Sequence, residues 1–309
     1  MVLDSLLSKR VVLVTGKGGV GRSTVTAALA QLAKSRGRRV LVAEVGDDPK
    51  DYSPLARCFG RDRFALAPEL IEPGLLGVMF LARTGQELFL KEILHSATLA
   101  RAAVGNQALR RLLSAGPSFR EMGVFFQLLT YLRATRSDGQ REHELILIDM
   151  PATGHTLSLT GLPDVLLKLM PRGPISASLR EGKAYLNDPA QTAAWLVTLP
   201  ETLPVSESLE LIEGLRKTEV PTGGIFVNRM PRDPFTPDER ATLTPLLAQH
   251  DVLGRESFNR PLLAARETSR LLANTPLPVY PLPELPHDQL IAAITTLLAT
   301  LQPITRVSS

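Results

Sequence analysis

The sequence predicts an α/β fold in which a parallel β-sheet is flanked by helices and carries an inserted helical subdomain. Three observations lead to this prediction. A strand, a glycine-rich loop, a helix and a second strand follow one another between residues 11 and 45. Further short apolar runs, typical of buried strands, follow later in the chain. One long segment between them instead repeats its apolar residues at helical spacing.

The opening unit combines two apolar strands with one helix. Val11–Thr15 and Arg39–Val45 are rich in valine, and Ser23–Ser35 carries apolar residues three or four positions apart. Parallel strands need a crossover connection, which is usually a helix. This strand–helix–strand unit therefore predicts a parallel sheet.

The later strands are predicted from apolar runs that end in polar or turn-forming residues. These runs are Glu144–Asp149, Ala193–Leu199, Gly223–Asn228 and Leu277–Leu282. A crossover helix is predicted at Ser206–Lys217, and an amphipathic helix at Gln289–Thr305 closes the fold.

The segment from residue 84 to residue 136 has no strand alternation, and its apolar residues recur every three or four positions. This spacing indicates helices. We therefore expect a helical subdomain at 84–136, inserted into a sheet domain formed by residues 1–83 and 137–309. The turn-forming run SDGQ, residues 137–140, marks the return to the sheet.

The composition is that of an ordinary globular protein, with 44% hydrophobic and 21% charged residues. No uncharged apolar run reaches the roughly 18 residues that a membrane-spanning helix needs, although peripheral membrane contact remains open. The N-terminal run MVLDSLLSKR does not resemble a signal peptide. The single cysteine, Cys58, excludes a disulfide within one chain. These observations together indicate a cytoplasmic protein.

The formal net charge is only +4, and the densest basic run is RGRR at residues 36–39. Nucleic-acid binding requires a basic patch on one face of the protein. We interpret the many arginines as a compositional bias with solvated side chains, so nucleic acid is not an expected partner.

The loop VTGKGGVGRSTV, Val14–Val25, nearly matches the phosphate-loop pattern GxxxxGK followed by Ser or Thr. Glycines allow successive backbone N–H groups to converge on phosphate oxygens, and the helix that follows adds its positive end. The lysine position of the pattern holds Arg22, and a different lysine, Lys17, follows the first glycine. The predicted ATP-phosphate ligands are Gly16, Lys17, Gly18, Gly19, Val20, Gly21, Arg22, Ser23 and Thr24.

Magnesium is the expected cofactor of such a loop. The Ser23 hydroxyl stands where the pattern places a Mg²⁺ ligand. Asp149 ends an apolar strand, as does the aspartate that orients Mg²⁺ in phosphate-loop enzymes. The residues after Asp149, MPATGHT, are too rich in turn formers and polar groups to serve only as a helix cap.

KGGVGRST, followed by DMPATGHTL at residues 149–157, resembles the ArsA-type ATPases. That family includes the arsenite-pump ATPase and the ATPase that targets tail-anchored membrane proteins. It belongs to the deviant Walker A group with ParA and MinD, which the early lysine marks. Similar segments continue along the chain: LLSAGPSFREM (112–122), GPI (173–175), LNDP (186–189), VTLPETLPVSES (197–208), FVNRM (226–230) and PLPEL (281–285).

The resemblance implies a role for each matching position. Lys17 would act in catalysis by crossing a dimer interface to the partner's nucleotide. Glu207 would either touch nucleotide or partner, or lie on a solvated helix face. A switch that senses the γ-phosphate would comprise Asp149, Pro151, Thr153, Gly154 and His155. The adenine would lie between two segments that include Asn228, Arg229, Pro281 and Leu282.

Two departures from the family pattern bear on catalysis. Arg22 is bulkier and more planar than lysine, so it still neutralises phosphate but fits the loop differently. Family members place a water-positioning aspartate just after the second strand, where this chain reads EVGDDP. Alignment on the Asp-Pro pair makes Asp48 the catalytic candidate, with Asp47 beside it. Alignment on the strand leaves Gly46 in that place, and both alignments stay open.

Three functions follow from this reading. The first is a dimeric ATPase that couples ATP binding and hydrolysis to a conformational change on a client protein. The second is a weakly hydrolysing regulatory subunit that pairs with an active related chain. The third, less favoured, is a ParA-like DNA-positioning ATPase. The metalloid and CxxC zinc sites of family members need cysteines that this chain lacks.

Overall fold

The computed structural model describes residues 2–50, 52–94, 119–151, 153–169, 171–172, 174–249, 254–286 and 289–304. Within these ranges, eight strands form one sheet. The strands are β1 (Val11–Thr15), β2 (Val40–Gly46), β3 (Glu69–Glu72), β4 (Leu75–Leu81), β5 (Leu145–Asp149), β6 (Thr192–Thr198), β7 (Thr222–Met230) and β8 (Val279–Pro283).

The sheet order is β3-β4-β2-β5-β1-β6-β7-β8, and every neighbouring pair is parallel except β3 and β4. The predicted α/β fold with a parallel sheet is therefore confirmed. The central strand β1 lies between β5 and β6, so the loop that follows β1 starts at the middle of the sheet's carboxyl edge. In open α/β sheets this edge is the usual place for ligands.

Strands β3 and β4 were absent from the sequence prediction. The β4 run, LLGVMFL, is almost continuously apolar, and every residue except Leu76 is buried. A strand buried on both faces loses the polar–apolar alternation, so periodicity cannot separate it from a buried helix.

Helices cover both faces of the sheet. Their bounds are α1 (Val2–Leu7), α2 (Arg22–Ser35), α3 (Pro54–Arg57), α4 (Ala82–Leu94), α5 (Phe119–Arg133), α6 (Thr153–Leu169), α7 (Pro174–Asn187), α8 (Thr202–Lys217), α9 (Pro237–Gln249), α10 (Arg255–Asn274) and α11 (Leu290–Thr300). Along β1, Val12 and Val14 face the core shared with α1, α2 and α11. Val11 and Leu13 face the opposite core, shared with α5 to α8.

The predicted helical segment 84–136 is described only at its two ends, by α4 and α5, and its residues 95–118 lie outside the described ranges. Both ends are helical and pack against the sheet. Phe80 of β4 stacks on Tyr131 of α5, with ring centroids 5.6 Å apart. The boundary of an inserted subdomain stays a prediction. In the described part of the chain, no helix is both long enough and apolar enough to cross a bilayer.

Candidate functional site

The glycine loop runs from the end of β1 to the start of α2, at Arg22. Gly16 has φ 149°, and a Cβ there would lie 2.2 Å from the Val197 carbonyl oxygen. Gly21 has φ 93°, and a Cβ there would lie 2.3 Å from Asn228 Nδ2. Residues other than glycine rarely adopt such φ angles, and neither the Val197 carbonyl nor the Asn228 side chain leaves room for a Cβ atom. The two glycines therefore let the loop pass close to β6 and β7.

Asn228, near the end of β7, fixes the middle of this loop. Its side-chain amide donates a hydrogen bond of 2.8 Å to the Val20 carbonyl, and its side chain is buried. The adenine contact of Asn228 stays a prediction. In the structure this side chain holds the phosphate loop against β7.

The two predicted metal residues meet at the start of α2. Ser23 Oγ donates a hydrogen bond of 2.5 Å to Asp149 Oδ2. Burial raises the pKa of Asp149 to about 6, and the Arg22 charge and the Ser23 hydroxyl oppose this rise.

Two polar atoms beside this contact lack partners. Asp149 Oδ1 and Arg22 Nη1 are buried without a hydrogen-bond partner among the described residues. Buried polar atoms are costly to leave unpaired. A hydrated Mg²⁺ would satisfy the carboxylate oxygen, and a phosphate oxygen would satisfy the guanidinium. The residues present therefore fit Mg²⁺ with a nucleotide phosphate.

Lys17 is paired within its own chain. Its Nζ lies 2.8 Å from Glu207 Oε1 on α8, and each side chain is about one-third exposed. A contact of Glu207 with nucleotide or partner stays a prediction, and in the structure its carboxylate contacts Lys17. The implied reach of Lys17 into a facing subunit stays a prediction.

The predicted switch follows β5 and leads into α6. Pro151 lies before this helix, which begins at Thr153 and continues through Gly154 and His155; their side chains lie outside the described part. One residue further, Thr156 Oγ1 lies 2.8 Å from Thr15 Oγ1, and both hydroxyls are buried. This contact ties the switch segment to the start of the phosphate loop. This contact could not be predicted from the sequence, because a single threonine at the end of a strand, Thr15, is not part of any motif.

The segment after β2 contains the water-positioning candidates. Gly46 is the last residue of β2, whereas Asp47 and Asp48 follow the strand and are exposed. Asp48 Oδ1 accepts a hydrogen bond of 2.8 Å from the Lys50 amide. The strand thus ends where the strand-based alignment places Gly46, and a catalytic role for Asp48 stays a prediction.

Glu44, inside β2, is a site residue that the sequence analysis did not single out. Its carboxylate accepts hydrogen bonds from the Ser53 hydroxyl and from the Leu55 amide at 3.3 Å. Burial raises the pKa of Glu44 to about 6. The available signal was an acidic residue within the apolar run VLVAEV.

Two adjoining cavities lie along the loop. One has a volume of about 570 Å³. It is lined on one side by the glycine loop and on the other by the segment after β2: Gly19, Gly21, Arg22, Ser23 and Thr24, then Tyr52, Pro54, Arg57 and Cys58. The second, of about 180 Å³, is lined by Gly21, Thr24, Asn228 and Pro283 to Leu285. Arg229 lines both, with φ 55°.

Of the predicted adenine residues, Pro281 pairs with Val227 inside the sheet and Leu282 is fully buried in the core. Pro283, Glu284 and Leu285 line the smaller cavity instead. The chain therefore reaches the cavity just after Pro281 and Leu282, beginning at Pro283.

A larger cavity, of about 630 Å³, lies beyond Arg229, between α10 and the start of α8. Its lining carries an excess of carboxylates, with Glu201, Glu256, Glu267 and Glu284 against Arg229 and Arg260. Negative charge disfavours phosphate there. The cavity beside the glycine loop is therefore the better phosphate site.

Comparison with known proteins agrees with this geometry. The family profile described as anion-transporting ATPase matches residues 9–176. That range includes the glycine loop, the segment after β2 and the switch.

Several curated relatives are similar over longer stretches. ATPase BagA of Mycobacterium tuberculosis is 31% identical over 232 residues, covering 71% of this chain and 65% of the relative. The arsenical pump-driving ATPase of Escherichia coli is 27% identical over 89% of this chain and 43% of its own length. The ATPase ASNA1 homolog of Trypanosoma cruzi is 27% identical over 74% of this chain and 77% of its own.

The chain therefore spans just under two thirds of the length of the mycobacterial relative, and less than half of the pump ATPase. The family profile nevertheless covers more than half of the chain, together with the loop and switch that define its site. The chain belongs to the ArsA-type family of anion-transporting ATPases.

Proposed function

We propose that this chain binds ATP with Mg²⁺ and hydrolyses it slowly, and that it couples the nucleotide state to a conformational change on a client protein. The observation that carries this proposal is the Ser23–Asp149 contact, flanked by an unpaired carboxylate oxygen and an unpaired guanidinium nitrogen. Both unpaired atoms are buried beside a loop shaped by glycines.

Each residue of the loop would contribute a defined interaction. Backbone N–H groups from Gly16 to Thr24 would donate to phosphate oxygens, aided by the positive end of α2. Arg22 would neutralise phosphate charge with its free Nη1. Ser23 and Asp149 would hold Mg²⁺, which supplies charge neutralisation at the β- and γ-phosphates.

Slow turnover is proposed from three features. Arg22 replaces the lysine of the loop, Lys17 is held by Glu207, and Asp47 and Asp48 are exposed beyond the end of β2. Positioning of the attacking water supplies much of phosphoryl-transfer catalysis. A site that must rearrange to position this water should turn over slowly.

Pairing of two chains across the nucleotide face is part of the proposal. The partner would be a second copy or a related ArsA-type chain, because this chain has one phosphate loop and Lys17 would complete a facing site. The relative named arsenical pump-driving ATPase supports a role in driving another protein.

Calorimetry of ATP binding, with Mg²⁺ and with EDTA, tests the core of the proposal. We expect saturable binding that strengthens with Mg²⁺, slow phosphate release, and a larger mass in light scattering with a non-hydrolysable ATP analogue. Absence of ATP binding at millimolar nucleotide would refute the proposed function. Binding without any change in mass, with the related chain also present, would refute only the pairing.

A second candidate is a regulatory subunit that binds nucleotide but scarcely hydrolyses it. Arg22 and the exposed position of Asp47 and Asp48 favour this alternative. Phosphate release from the pure chain, compared with release after addition of a related active chain, separates the two. No release by the pure chain, but stimulation of the partner, would select the regulatory subunit.

A further inference from the structure

The cavity beside the glycine loop has a second wall that the phosphate-loop pattern does not include. The glycine loop and the first turn of α2 form one wall. Tyr52, Pro54, Arg57 and Cys58 form the facing wall. The space between them, about 570 Å³, lies within the range of small-molecule sites. The second wall therefore faces whatever the loop binds.

Arginine side chains carry the charge along the lining of this cavity, and the Asp149 carboxylate is buried against Ser23. The charged side chains that line it, among the described residues, are Arg22, Arg57 and Arg229, and its lining contains no carboxylate. The neighbouring larger cavity is lined by four glutamates together with Arg229 and Arg260. Arginine forms charge-assisted hydrogen bonds with phosphate. The cavity is thus suited to a polyanion, and Arg57 adds to the cations of the loop itself.

The position of the second wall is set by a buried anchor. Glu44 is 7% exposed and accepts hydrogen bonds from the Ser53 hydroxyl and the Leu55 amide. Ser53 is also the N-cap of α3, whose last residue is Arg57. A buried carboxylate is costly unless it is hydrogen-bonded, and here its bonds fix the first turn of α3. Arg57 therefore lies on a helical turn whose position is fixed by the hydrogen bonds of Glu44.

The guanidinium of Arg57 keeps its donors available. Its Cζ lies 4.9 Å from the centre of the Tyr52 ring, a cation–π contact that uses no N–H donor. The carboxylate recorded beside it, Asp62, is 3.9 Å away and its side chain is 89% exposed. Such an exposed ion pair is weak and yields readily to a stronger anion.

We propose that Arg57, held over Tyr52, is a phosphate-binding residue of the nucleotide site, supplied by the segment after β2. The inference rests on the proposed ATP-binding function and assigns a residue outside the phosphate-loop pattern. Arg57 donates to the phosphate chain from the wall that faces the loop. It thereby adds positive charge to a loop whose usual lysine is replaced.

The principal test compares Arg57→Gln and Arg57→Lys with a control, Arg266→Gln, which removes an exposed arginine of α10 that does not line the cavity. ATP and ADP affinities of the full chain are measured with Mg²⁺ at several salt concentrations. We expect Arg57→Gln to weaken binding about tenfold or more, the loss typical of one charge-assisted hydrogen bond. Arg57→Lys should recover part of this loss, and Arg266→Gln should match the wild type.

Variants of Tyr52 test how Arg57 is held. Tyr52→Phe keeps the ring and should bind ATP like the wild type. Tyr52→Ala releases the guanidinium and should weaken binding about two- to fivefold, the range of an exposed cation–π contact. In the double variant with Arg57→Gln, Tyr52→Ala should add no further loss, because its effect passes through Arg57.

The outcomes separate this inference from the proposed function. If the wild type binds no ATP, the proposed function fails. If the wild type binds ATP and Arg57→Gln binds it equally well, only the role of Arg57 is overturned. Equal losses in Arg57→Gln and Arg266→Gln would show a general charge effect and would also overturn it. Thermal unfolding without nucleotide should show every variant folded, with midpoints lowered by no more than the loss of one exposed cation–π contact would cause.

Discussion

Lys17 Nζ and Glu207 Oε1 lie 2.8 Å apart within one chain, so the early lysine of the phosphate loop is bound by the first half of α8. We expect a lysine that reaches into a facing subunit to move away from a carboxylate of its own chain. Release of Lys17 from Glu207 should therefore accompany pairing of two chains. The pair is partly exposed, so its strength is modest, about 0–1 kcal/mol.

Glu207→Gln should shift the chain toward the paired state. We expect the concentration of half-maximal self-association with an ATP analogue to fall about two- to fivefold, because a partly exposed ion pair no longer competes for Lys17. Light scattering over a dilution series measures it. The control is Glu210→Gln, exposed on the same helix. Weaker association of Glu207→Gln than of the control would contradict this account.

Asp149→Asn should remove the Mg²⁺ dependence of ATP binding while leaving the fold intact. The asparagine has the same shape but lacks the charge that would hold the cation, and it avoids the cost of a buried carboxylate. ATP affinity is compared with Mg²⁺ and with EDTA, and Asp238→Asn, on the first turn of α9, is the control. Equal ATP affinity of the wild type in Mg²⁺ and in EDTA would rule out this role for Asp149.

Arg22→Lys should raise ATP turnover, on the order of tenfold, if an aspartate after β2 still positions water. Lysine offers a compact charge that fits the loop, whereas the arginine Nη1 is buried without a partner. Steady-state phosphate release measures this. The same change is made together with Asp47→Ala and Asp48→Ala, which should abolish the gain. Full turnover of that triple variant would show that neither aspartate positions the water.

Gly21→Ala should weaken both nucleotide binding and stability. The new Cβ would lie 2.3 Å from Asn228 Nδ2 at a φ of 93°, and strain of this kind costs roughly 1–3 kcal/mol. Gly18→Ala is the matched control, because nothing lies within 4 Å of its Cβ position and its φ is not positive. Urea unfolding and ATP titration measure both effects. The prediction is wrong if the two variants are equally stable.

Acidification should destabilise the protein through His143. Burial lowers the pKa of this 3%-exposed imidazole from 6.5 to about 4; Glu142 opposes the shift, and Arg10 and Arg39 add to it. Because the unfolded chain binds the proton more readily, stability is fully present above pH 6.5 and declines as the pH falls toward 4. The loss should reach at most about 3 kcal/mol.

Urea unfolding of the wild type and of His143→Phe at pH 7, 5.5 and 4.5 isolates the contribution of His143. The variant keeps an aromatic ring beside Tyr131 but cannot be protonated, so its stability should fall less steeply between these values. Parallel curves for the two proteins would exclude His143 as a source of acid sensitivity.

Most strands of the sheet, and the order of the site motifs along the chain, could be predicted from the sequence. Val11–Thr15, the glycine loop and the strand that ends at Asp149 are local patterns, and parallel pairing brings the ends of β1 and β5 to one edge. That is why Ser23 and Asp149 could both be predicted as Mg²⁺ residues from sequence, while their direct contact is seen only in the structure. Strand β4 did not, because burial on both faces removed the alternation that would have distinguished it from a helix.

The sequence by itself determined that this chain has a glycine loop of the phosphate-loop pattern, an aspartate at the end of an apolar strand and an ArsA-type order of motifs, because each of these depends on a short run of residues. Only the tertiary structure decided which distant side chains meet. It paired Lys17 with Glu207, set Asn228 under the loop, and brought Arg57 into the cavity by the buried anchor at Glu44. Such contacts depend on helix direction and packing across strands far apart in the chain, and no local spacing encodes these.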